Sequence, residues 1–94
     1  MEVTPEQREQ IRLSLLRYGL SAAGYTAGLA KVYLRAEGWR QITEDEVQAQ
    51  IDHLAHAQKG FLDGSAKAIS PEVVVYRTTP NGQDYLAKMK EERT

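Results

Sequence analysis

Cysteine is absent from this chain of 94 residues. No disulfide can staple the fold, and no thiolate is on hand as nucleophile or zinc ligand; the absence fits a reducing compartment. There is no long uncharged apolar run of the kind that crosses a bilayer. The N-terminal stretch MEVTPEQREQ is acidic and polar where a signal peptide is basic and then apolar, so the expected location is cytoplasmic. Positive charge is not in excess either. Net charge is −1 and the pI about 6.1, so any nucleic-acid role must rest on a local basic surface. Internal repeats and low-complexity segments are lacking. So are enzyme signatures: neither histidine has a serine or carboxylate partner at a known spacing, the glycines form no phosphate-cradling loop, and no paired carboxylates fall in an expected cleft. A non-enzyme without cofactors is the expectation.

What is present is an ordinary globular composition, 41% apolar and 27% charged, in one domain near the lower size that a single core can support. Thr4-Pro5-Glu6-Gln7 reads as a helix start, with a threonine cap, a proline at the first helical position and a glutamine completing a capping box. This predicts a first helix from Pro5 to Tyr18 within residues 1–20, ended by Gly19. At 100° per residue Ile11, Leu15 and Tyr18 fall on one side, and Leu13, Leu16 and Leu20 nearly opposite. Two apolar faces need two partners: the core for one, and the C-terminal helix or a second copy of the chain for the other.

A second helix is expected over 25–36, ended by Gly38. Tyr25, Leu29, Val32, Tyr33 and Ala36 share its expected buried face, with Lys31 and Arg35 pointing together the other way. Trp39-Arg40-Gln41-Ile42 makes the turn into a third helix over 43–59, with Trp39 against the core. Thr43-Glu44-Asp45-Glu46 reads as a second capping box, and Val47, Ile51 and Leu54 recur at core-facing spacing. Gly60 stops this helix. Phe61-Leu62 resumes in extended form, Asp63-Gly64-Ser65 signals a turn, Ala66 to Ile69 reads as a weak strand, and Ser70-Pro71 as a breaker. Val73 to Thr78 is the best strand, followed by a closing helix over 79–91 capped by Thr79 with Pro80 first. The order is helix, helix, helix, ribbon, helix.

The run ITEDEVQAQIDHL, then KGFLDG, then VYRTTPNGQDYL resembles the winged helix-turn-helix superfamily, in particular small bacterial regulators of the MarR and PadR kind, with a fainter likeness to small winged-helix proteins of Mu-like phages and prophages. Gly60-Phe61-Leu62 matches the family's exit from the recognition helix, and Tyr76, Thr79 and Gly82 match the end of its wing. Thr78 departs from the usual leucine, which removes an apolar anchor. The resemblance implies a mainly α fold with a small β-hairpin wing over 61–78. It further implies a cytoplasmic, dimeric DNA-binding regulator, paired through helix one and the C-terminal helix, whose third helix enters the major groove.

The charges complicate that transfer. Opposite Val47, Ile51 and Leu54 lie Asp45, Gln48, Ala49, Asp52, His53 and His56, and from Glu44 through Asp52 there are four acids and no cation. Carboxylates next to phosphates make a poor groove reader. The favourable set is Lys31, Arg35, Arg40 and Lys67 along a backbone, with Gln41, Thr43 and Gln48 donating neutral hydrogen bonds. The same set also reads as a plain solvated face. A protein-interaction module is the alternative, holding its partner on Asp45, Asp52, His53 and His56 or on the second apolar face of helix one. His53 and His56 supply half a tetrahedral site at most, so no metal is expected, and their protonation would soften the negative helix.

Overall fold

The computed structural model describes residues 4–20, 23–56, 60–66 and 73–93. Among them are four helices and a two-stranded antiparallel hairpin, in the order α1 (Pro5–Tyr18), α2 (Ala27–Glu37), α3 (Glu44–Ala55), β1 (Leu62–Ala66), β2 (Val74–Thr78) and α4 (Pro80–Arg93). No described helix is long and apolar enough to cross a membrane.

Both halves of the capping box at α1 are made: the Gln7 amide donates to Thr4 Oγ1 at 3.2 Å, and the Thr4 amide to Gln7 Oε1 at 3.0 Å. Each satisfies a group that the first turn would otherwise leave open. Ile11, Leu15 and Leu16 are fully buried, and Leu13 nearly so. The second apolar face of α1 is therefore covered from within the chain. Leu13 shares a shallow groove with Leu86 and Met89 of α4. Leu20 departs from the expected face, because the helix has ended before it and its side chain stands in solvent.

The phase of α2 corrects the sequence reading. Its buried residues are Ala30 and Leu34, whereas Leu29 is 39%, Val32 57% and Tyr33 40% exposed, and Ala36 is exposed as well. Two stripes are written into this helix, and the one carrying alanine turns inward, since a small side chain lets α2 close on α3. Tyr25 is buried as expected but not as part of the helix. It precedes the Thr26 cap and bridges Tyr76 of β2.

The turn through Trp39 and Ile42 delivers the chain to α3, with Ile42 buried and Trp39 packed against the core. Thr43 accepts the Glu46 amide at 3.2 Å. The second capping box is only half formed: the Glu46 carboxylate accepts from Gln50 at 3.1 Å and lies 3.5 Å from Arg8 of α1. A cation on a neighbouring helix outbids a local backbone donor. Val47, Ile51 and Leu54 face inward, joined by Gln50, which accepts from Arg12 at 3.0 Å. The helix ends at Ala55, earlier than expected, with His56 already extended; residues 57–59 lie outside the described ones. The Phe61 amide then bonds the free Leu54 carbonyl at 3.0 Å.

The hairpin runs in register from Leu62 opposite Thr78 to Ala66 opposite Val74. Asp63-Gly64-Ser65, expected as a turn, is the middle of β1. The glycine there serves packing: a Cβ at Gly64 would come within 3.0 Å of the Tyr76 ring and of Val74. The strand expected at Ala66 to Ile69 thus lies mostly outside the described residues, as do Ser70 and Pro71, and Ala66 instead ends β1. Thr79 closes the hairpin and opens α4, accepting the Gly82 amide at 3.1 Å and donating to the Gly60 carbonyl. Phe61 stacks on Tyr85 with ring centroids 4.7 Å apart, which ties α4 to the hairpin's base.

Candidate functional site

The start of α2, the outward side of α3 and the start of β2 border an open groove of ≈ 370 Å³ lined by Thr26, Ala27, Gly28, Glu44, Gln48, Val73 and Val74. Three short-range features build it. The Thr26 hydroxyl accepts the Leu29 amide at 3.2 Å and starts α2. Gly28 leaves room, with only the Glu44 carboxylate near the place a side chain would take. β2 is pinned beside α2 by paired backbone bonds between Tyr76 and Tyr25, at 2.7 and 3.0 Å.

Gln48 is the hinge of this surface. Its amide donates to Asp52 at 2.8 Å and to the Tyr76 hydroxyl at 3.2 Å, linking α3 to the hairpin. A side chain expected to offer a hydrogen bond outward is committed sideways. Behind it lies a cluster of tyrosines: Tyr18 meets Tyr25 edge-on at 6.3 Å and Tyr33 at 5.1 Å, and Tyr25 lies 6.2 Å from Tyr76. Burial, then the neighbouring Tyr76 and Tyr18, pushes the Tyr25 phenol far up; burial, then the Glu37 carboxylate, does the same for Tyr18. These phenols stay protonated at any ordinary pH and cannot serve as bases. Nothing in the sequence pointed to this cluster, because its members come from four separate segments.

Of the expected cations, Lys31 and Arg35 each meet a neighbour, with Arg35 still exposed and Lys31 partly so. Lys31 lies 4.0 Å from Glu44, and Arg35 donates to the Ile42 carbonyl at 3.1 Å, so both serve the joint between α2 and α3. Thr43 turns its hydroxyl to the first turn of α3. Arg40 and Gln41 are exposed in the preceding turn. Lys67 lies outside the described residues. Asp45, Asp52, His53 and His56 are all exposed, His56 just beyond the helix end. Glu44 faces Lys31 and Glu46 faces Arg8, and Asp45, Asp52 and the more than half exposed Glu44 make up the outward negative charge of α3. No group of three or more metal-binding side chains occurs among the described residues.

No protein family, curated protein or solved structure matches the chain.

Proposed function

We propose that this chain is a winged-helix domain serving as a protein-interaction module, whose third helix and hairpin hold a polypeptide where related folds hold duplex DNA. The element order, the hairpin after α3 and the helix that closes it support the winged-helix reading. One observation carries the functional choice. The outward side of α3 presents Asp45 and Asp52, while Lys31 and Arg35, which a DNA contact would need, are engaged at the joint with α3. Bringing such a surface to a phosphate backbone sets like charge against like.

A second reading rests on Arg40 and Gln41, exposed in the turn that leads into α3. It makes the chain a DNA-binding regulator that grips the backbone there. Fluorescence anisotropy with a labelled duplex of mixed sequence, at about 50 and about 200 mM salt, separates the two. Phosphate contacts by all four cations of the expected set, Lys31, Arg35, Arg40 and Lys67, imply an affinity loss of roughly 100-fold over that interval. The protein-interaction reading expects no saturable duplex binding at either salt concentration, and steep salt-dependent binding would replace it with the second reading.

A further inference from the structure

Backbone groups along β2 alternate between its two edges. On the edge away from β1, Thr78 donates to the Gly19 carbonyl at 3.0 Å, and Tyr76 exchanges two bonds with Tyr25. The next residue facing that way is Val74, opposite Ala66 in the hairpin register. The chain that covers Tyr76 turns away at Thr26 into α2, and the outward amide and carbonyl of Val74 have no backbone partner among the described residues. They open into the groove lined by Thr26, Ala27, Gly28, Glu44, Gln48 and Val73.

We propose that this groove takes an extended segment of a partner protein, which pairs with Val74 as an added strand and sets basic side chains against Glu44 and Asp52. The inference rests on the protein-interaction reading and names its occupant. Strand addition supplies backbone bonds to an edge that has none at Val74 among the described residues. Charge chooses the segment. Glu44 is the one charged residue lining the groove, more than half exposed despite its contact with Lys31, and Asp52 stands two turns further along α3, bonded to Gln48. Val73 and Val74 are half-buried and offer an apolar wall. A segment alternating basic and β-branched residues meets both demands, and an acidic segment meets neither.

The test uses the full chain, labelled with nitrogen-15, and two synthetic hexapeptides that alternate valine with lysine or valine with glutamate. The Val–Lys peptide is expected to shift the Val74 and Gly28 amides and to slow exchange at Val74, with the Val–Glu peptide at least 10-fold weaker. Val74→Pro removes the outward donor without touching a bond to β1 and is expected to weaken the Val–Lys peptide about 10-fold. Glu44→Gln with Asp52→Asn, which leaves the strand edge intact, is expected to do so about 5-fold. Equal response to both peptides, or no response to the Val–Lys peptide, overturns the proposal. Shifts confined to the Asp45 and Asp52 amides, unchanged by Val74→Pro, overturn strand addition while leaving the protein-interaction reading standing. That reading falls separately, to salt-dependent duplex binding.

Discussion

Thr78 shows how a single side chain can be misjudged from its neighbours in sequence. Where the resembling family has leucine, a threonine looks like a lost anchor. In the fold its hydroxyl donates to the Leu16 carbonyl at 2.6 Å, one of the groups that the last turn of α1 leaves without a helical donor. Its amide bonds the Gly19 carbonyl as well, and a Cβ at Gly19 would fall 2.8 Å from that nitrogen. Thr78→Val keeps the shape and deletes the donor, so urea unfolding is expected to show a loss of about 1–3 kcal/mol. No change would mean that water supplies the bond. Tyr25 makes the opposite case, since its buried hydroxyl has no hydrogen-bond partner among the described residues. An unfolded tyrosine ionises near about pH 10, and burial holds the native phenol above that value. The native state then keeps a proton that the unfolded chain gives up. This contribution is whole below about pH 10 and is lost as pH rises from there through the raised native value. Tyr25→Phe is expected to hold or raise the melting temperature at pH 7 and to flatten its fall in alkali. The role of Thr78 was opaque to the sequence because its partners lie far along the chain; the burial of Tyr25 was legible, its pairing with Tyr76 was not.

Elements that carry their own punctuation were legible in the sequence, and those positioned by a neighbour were not. α1 begins and ends where Thr4, Pro5 and Gly19 place it, and the inward edge of α3 is the expected Val47, Ile51 and Leu54. α2 offered two stripes of similar spacing, and periodicity alone cannot weigh alanine's close approach to α3 against the larger side chains of the other stripe. The consequence is an exposed row of Leu29, Val32 and Tyr33. Leu34→Ala is therefore expected to cost about 2–5 kcal/mol, whereas Val32→Ser should stay within about 0.5 kcal/mol, both read from chemical denaturation. Comparable losses at the two positions would reverse the phase of the helix. β1 misled for a related reason. Asp-Gly-Ser is turn chemistry in isolation, but Gly64 in a strand makes room for the Tyr76 ring.

At the scale of the whole molecule, the layout of a four-helix domain with a hairpin was legible, while the disposition of its charges was not. Lys31 and Arg35 read as an unpartnered ridge until the structure set Lys31 beside Glu44 and Arg35 on the Ile42 carbonyl, and Glu46 read as a cap until it gave Arg8 a partner. Exposed pairs of this kind add at most about 1 kcal/mol each. Their importance lies in the charge they offset at the surface. If the scaffold presents α3 as a winged helix does and only the acids forbid duplex DNA, reversing those acids should confer binding that the native chain lacks. The direct measurement is duplex anisotropy at low salt for the native protein beside the Asp45→Lys, Asp52→Lys double variant. The expected result is no saturable binding by the native chain and salt-sensitive binding by the variant. Tight binding by the native chain, or none by a properly folded variant, would contradict it.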